Sequence, residues 1–159
     1  MENNPQYQKH RDSTLNLYKN INSIFSPAMQ TRVVFSAEGF NHIIFKSARK
    51  ERERSSQILR FKLLPLAVKL ISLSTTYQEY EESFSEITIK RRKGKIKVIK
   101  IVKYWGIIAI IDGQKIKVIL RKLSDQGLIN FWSIIPAWTT NKYRDIKFYT
   151  AMKGDPSQD

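Results

Sequence analysis

The sequence predicts an α+β protein in which N-terminal helices pack on a four- to five-stranded antiparallel sheet. Apolar residues recur at helical spacing through the first half of the chain, then alternate or form strand-length blocks through the second. Turn signals at Lys90–Gly94, Asp112-Gly113 and Ser124–Gly127 separate those blocks at hairpin distances. Helices first and a meander second is an α+β layer order. At 159 residues the chain is one domain with small additions. The expected division is a helical extension over 1–30, a main domain over 31–152 and a loose tail over 153–159.

Each element has its own warrant. Leu15, Tyr18, Ile21 and Phe25 lie at helical spacing, and Pro27 closes that pattern. Thr31 to Phe35 reads as a short extended segment leading to Ser36, an N-cap with Glu38 at the positive end of the next helix. That helix carries Phe40, Ile43 and Ile44 on one side. After a basic stretch from Ala48 to Ser56, Ile58, Leu59, Leu63, Leu66, Ala67, Leu70 and Ile71 form a stronger apolar helix. Pro65 lies inside it and predicts a kink or two short helices. Strands are expected around Ile87–Ile89, over Ile96–Lys103, over Tyr104–Ile111 and over Lys115–Arg121. A further strand covers Leu128–Ile135, stopped by Pro136, and Ile146–Ala151 is an edge-strand candidate. Asp112-Gly113 tolerates the positive φ of a two-residue hairpin loop.

Composition narrows the function. There are 28 Lys plus Arg against 14 Asp plus Glu, a formal net charge of +14. This favours a polyanionic partner, nucleic acid above all. The absence of cysteine removes disulfides, thiolate nucleophiles and Cys-containing zinc sites. Only His10 and His42 are present, so a multi-histidine metal centre is excluded and no metal or cofactor is expected. The polar N-terminus lacks a signal-peptide core, and no apolar run is long enough to span a bilayer. No membrane partner is expected, and the expected compartment is cytoplasmic.

The charge is concentrated. Lys46 to Lys69 holds eight bases against two acids, and Lys90 to Lys122 holds twelve against Asp112 alone. Glu79, Glu81, Glu82 and Glu86 separate the two blocks. If the GFNHIIFK helix continues, Glu38, His42, Lys46 and Arg49 share one stripe. A His between a carboxylate and two cations has the surroundings of a general acid or base beside an anion. Arg49, Arg52, Arg54 and Arg60 offer planar forks that match phosphate, whereas lysines supply point charge. Lys117 and Arg121 project on the same face of one strand. Phe131 to Asp145 gathers Trp132, Ser133, Trp138, Thr139, Thr140 and Asn141, aromatics to stack bases and hydroxyls to meet phosphate. The bland alternative makes His42 a buried helix residue, the Arg-rich stretch a solvated face, and Trp132 and Trp138 packing residues.

Three stretches together carry a resemblance: GFNHIIFK with RKERERSSQILRFKLLP, then VKYWGIIAIIDGQKIKVILRK, then FWSIIPAW. The chain resembles the RelE-like, barnase/EndoU/colicin-type ribonuclease superfamily, in particular its phage-associated small nucleases. The resemblance spans Arg32 to Trp138 and implies metal-free RNA cleavage by attack of the 2′-OH on the adjacent phosphorus. It implies His42 as general acid or base, and Arg52, Arg54 and Arg60 as groups neutralising the phosphorus intermediate. Arg121 and Ser133 would complete the phosphate site. Lys46, Arg49, Lys103, Lys117, Trp132 and Trp138 would contact nucleic acid. The sequence offers no second His or well-placed Glu as opposite proton-transfer partner, and Lys46, Lys103 or Tyr104 are the substitutes. The implied partners are RNA and, for a toxin-like enzyme, an acidic antitoxin or immunity protein. The rival expectation is a non-catalytic nucleic-acid-binding protein of the same fold.

Overall fold

The computed structural model describes residues 4–47, 50–124 and 127–136. Helix α1 (Pro5–Ile21) begins with proline at its first position, and the Asn4 side chain accepts from the backbone N–H groups of Gln6 and Tyr7. It ends one turn earlier than the Leu15–Phe25 spacing predicts, because Asn22 takes a positive φ of 56°. Phe25 therefore lies in strand β1 (Ser23–Ser26), which pairs antiparallel with β2 (Thr31–Val34). The expected division at residues 30 and 31 falls inside this hairpin.

Helix α2 (Ala37–Ile44) follows from Ser36, whose carbonyl accepts from the Gly39 and Phe40 N–H groups. The chain then enters two short paired strands, β3 (Phe45–Ser47) and β4 (Lys50–Glu51). Helix α3 (Arg54–Leu73) runs through Pro65 as one element rather than two. Its flanking Leu63, Leu64, Ala67, Leu70 and Ile71 are buried, each worth roughly 1.5–3 kcal/mol for a large side chain. That burial outweighs the hydrogen bond the proline removes.

The second half forms β5 (Glu79–Arg91), β6 (Gly94–Ile111), β7 (Gln114–Leu123) and β8 (Ile129–Pro136). The Asp112-Gly113 loop has φ values of 51° and 78°, as its residues predict. The two strands expected over 96–111 are one continuous β6. Among the described residues the sheet has six strands in the order β1-β2-β8-β7-β6-β5 and is mixed. This corrects the expected four- to five-stranded antiparallel sheet. The N-terminal hairpin adds two strands, and β2 meets β8 in parallel at Val34 and Asn130. A strand of four residues has too little alternation to announce itself, and a long-range parallel contact leaves no local signal.

The main core joins α1, α2 and α3 to one face of this sheet. Tyr7 and Tyr18 of α1, Phe40 and Ile43 of α2, and Phe61 and Leu64 of α3 meet Trp105, Leu120, Phe131 and Ile134. Tyr18 donates to the Ser36 carbonyl, and burial pushes its phenol pKa up. A smaller cluster of Val102, Tyr104 and Ile119, with Trp132 and Leu123 against it, occupies the other face. No helix among the described residues is long and apolar enough to cross a membrane.

Candidate functional site

Strand β8 carries an irregularity that positions the site. Ile119 of β7 pairs with Ser133 while its neighbour Leu120 pairs with Phe131, so Trp132 is an extra residue. Phe131 and Ile134 both enter the main core although they are three apart, a spacing that a regular strand would split between faces. The bulge leaves Trp132 and Ser133 together opposite one partner residue, re-aimed away from that core.

Trp132 is the centre of a stack. The His42 ring lies against it with centroids 4.4 Å apart and planes inclined by 21°. The Arg121 guanidinium carbon lies 4.3 Å from the indole centroid. Helix α2 supplies His42 because its single glycine, Gly39, allows close approach to β8. A Cβ at Gly39 would lie 2.6 Å from the Phe131 carbonyl oxygen and closer still to the Tyr18 hydroxyl.

Two arginines flank the stack. Arg52, between β4 and α3, donates through Nε to the His42 carbonyl at 3.0 Å and places Nη2 3.2 Å from His42 Nε2. Arginine can only donate, so Nε2 is the acceptor here and a neutral His42 ring carries its proton on Nδ1. Arg121 Nη1 lies 3.7 Å from Glu38 Oε2, a loose contact to a carboxylate side chain that is 78% exposed. Arg121 Nε is buried with no hydrogen-bond partner. Both guanidiniums are donors held against the stack, Arg52 at the His42 ring and Arg121 at the Trp132 ring.

Arg60 and Ser133 also meet. Arg60 Nη1 donates to Ser133 Oγ and to the Ile134 carbonyl, both at 2.8 Å. The pair ties α3 to the bulged strand, and Arg60 is buried at 7% exposure. An open groove of about 340 Å3 lies beside it, lined by Ser55, Ser56, Leu59, Arg60, Ile135 and Pro136.

Other expected residues fall elsewhere. Arg54 stacks on Tyr7, 3.7 Å from the ring centroid, and lies 3.8 Å from Glu51. Lys117 is buried and ion-paired with Glu79 at 3.3 Å, so it presents no charge to a ligand. This corrects its reading as a nucleic-acid contact. Lys103 alternates with Tyr104 along β6, which puts it on the opposite sheet face from Arg121. The helical stripe from Glu38 to Arg49 is broken, because α2 ends at Ile44 and Lys46 is an exposed residue of β3. Of the three substitutes for a second proton-transfer group, Tyr104 alone pairs directly with Arg121, and it is buried. Arg49, Trp138 and the Ile146–Ala151 strand lie outside the described residues.

Sequence reasoning missed two residues. Gln57 donates to Glu51 and to the Arg52 carbonyl and accepts from the Tyr7 hydroxyl, and so fixes the segment that carries Arg52. Its position on the apolar side of α3 was the available signal. Glu79, the partner of Lys117, begins a strand and read as one member of an acidic cluster. Among the described residues no group of three or more His, Asp or Glu gathers in a way that could hold a metal ion.

No family model, curated protein or solved structure matched the chain.

Proposed function

We propose that the chain is a metal-independent endoribonuclease, toxin-like in size and charge, whose phosphate site lies between Arg52 and Arg121 on the Trp132 platform. The observation that carries this reading is the convergence of His42, Trp132, Arg52 and Arg121 from four separate segments. A core needs apolar side chains there. Two guanidiniums held against a stacked imidazole and indole suit an incoming phosphate instead.

The chemistry follows from the hydrogen bonds. A bound phosphate draws Arg52 Nη2 away from His42 Nε2 and frees that lone pair. His42 Nε2 then takes the proton of the adjacent 2′-OH, and the 2′-oxygen bonds to phosphorus. Arg52 and Arg121 neutralise the charge that builds on the non-bridging oxygens. The P–O5′ bond breaks, the 5′-oxygen takes a proton from water, and the products are a 2′,3′-cyclic phosphate and a 5′-OH.

The proposal is tested with wild type, His42→Ala and Arg121→Ala on RNA in EDTA at low salt. Wild type is expected to cut, with each variant slower by at least about 100-fold, the lower range for loss of one proton-transfer group. His42→Ala cutting at the wild-type rate overturns the role of His42. A second reading has its own support: His42 is only 7% exposed and its Nε2 is engaged by Arg52. In that reading the stack is structural and the protein binds nucleic acid without cutting it. Salt-sensitive binding with no strand scission by wild type would favour it.

A further inference from the structure

Strands β5 and β6 continue well past the point where the rest of the sheet stops. β7 ends at Leu123, opposite Val102. β5 and β6 remain paired from Ser83 and Val102 out to Arg91 and Gly94. Among the described residues, 84–101 are therefore a two-stranded ribbon with no third strand, and none of them belongs to either apolar cluster. The eight residues from Gly94 to Ile101 reach roughly 26 Å at about 3.3 Å each.

This arm is strongly basic. It carries seven cations between Lys90 and Lys100 against the single acid Glu86. Among the described residues none of the seven has an ion pair or a hydrogen-bonded side chain. Lys90 pairs directly with Lys95, and Thr88 with Lys97. Strand alternation places Lys90, Lys95 and Lys97 on one face at the outer end, with Glu86 and the 74%-exposed Ile99 nearer the base. Like charges directly opposite one another destabilise a strand pair. The chain carries that cost in isolation, and a polyanion on this face removes it.

The ribbon also says which polyanion. Single-stranded nucleic acid is held by aromatic platforms on which bases stack. The arm's one aromatic, Phe84, is 78% exposed but stands at its base opposite Ile101, and beyond it, from Ser85 to Lys100, the cations have no stacking surface beside them. Contacts of this kind neutralise backbone phosphates and read no bases. We propose that the β5–β6 arm grips the phosphate backbone of double-helical nucleic acid, as a second binding site apart from the His42–Trp132 stack. That the helix is RNA rests on the ribonuclease reading above. The arm holds a structured RNA while an unpaired segment reaches the stack.

The test uses full-length protein and a 2′-O-methyl RNA hairpin, which lacks the attacking hydroxyl and so reports binding whether or not the protein is a nuclease. Lys90→Thr, Arg92→Ser, Lys95→Thr and Lys97→Thr are combined, with threonine chosen because it suits a strand. The log–log salt dependence of hairpin binding should lose about three to four units of slope, at roughly 0.9 per phosphate contact. Affinity at about 100 mM salt should fall at least tenfold, and an unstructured oligonucleotide should lose less. Lys90→Thr with Lys95→Thr alone should remove about two units of slope, and arginine at all three lysine positions should retain wild-type binding. Unchanged slope in a folded variant overturns the arm. Equal losses on poly-glutamate overturn it in favour of an acidic protein partner. An arm-dependent preference for a DNA hairpin of the same sequence overturns the RNA assignment. Absence of cyclic-phosphate products would count against the ribonuclease reading alone.

Discussion

Lys117 and Lys95 lie on neighbouring strands of one sheet and meet opposite circumstances. Lys117 has a side chain 4% exposed and bonds Glu79 in the body of the molecule. Lys95 is exposed on the arm, faced across the ribbon by another lysine. The same contrast holds for the arginines. In the body Arg52, Arg54, Arg60 and Arg121 each contact a ring, a carbonyl or a hydroxyl, whereas on the arm Arg91 and Arg92 contact none among the described residues. The net charge of +14 is therefore two populations. One is built into the packing and has fixed geometry. The other is held out to solvent at an electrostatic cost.

The contrast is broken most severely by attacking the body. Lys117→Met leaves Glu79 buried and unpaired and should cost about 3–5 kcal/mol of unfolding free energy. Replacing both partners, Lys117→Met with Glu79→Leu, should recover most of it, as urea denaturation can read. If the single variant unfolds like wild type, Lys117 belongs with the exposed population. Gly39→Ala comes next. Its Cβ meets the Phe131 carbonyl and the Tyr18 hydroxyl, and overpacking of this kind costs about 1–3 kcal/mol. Thermal melts should show the loss, and cleavage should fall with it because α2 carries His42.

Smaller effects sharpen the comparison. Ser133→Ala removes an acceptor of Arg60 and should cost about 1 kcal/mol, measured by denaturant titration. A loss well below that would mean the guanidinium is held without Ser133, the Ile134 carbonyl among its remaining partners. Lys95→Thr on the arm should leave stability within about 0.5 kcal/mol of wild type, on the favourable side because the Lys90 repulsion is gone. Marked destabilisation there would show that the arm is part of the packed body.

The sequence showed the local elements but not this contrast, because it placed Lys117 in one basic block with the lysines of the arm. Local signals carried far. Asp112-Gly113 announced its hairpin, the apolar spacing from Ile58 to Ile71 announced α3, and the basic run Lys90–Gly94 announced the turn between β5 and β6. His42, Arg121 and Trp132 were singled out by residue type, and the structure stacks them. What sequence could not place were features made by distant contacts. Phe25 satisfied a helical period, and only the positive φ of Asn22 redirects it into a sheet that β8 completes more than a hundred residues later. Lys46 fitted the His42 stripe until α2 ended at Ile44. Lys117 and Arg121 share a face, but burial separates them, and burial is set by Glu79 on another strand. The bulge that pairs Trp132 with Ser133 also leaves the local pattern looking like ordinary strand alternation.

The central claim is that the guanidinium-flanked stack performs a transesterification. Its most direct measurement is the chemistry of the RNA ends left by pure protein in EDTA at low salt. The account predicts new 2′,3′-cyclic phosphates with matching 5′-OH ends, lost on substrate carrying 2′-O-methyl groups. Intact RNA, or cleavage that leaves 5′-phosphates and 3′-OH ends, would contradict it.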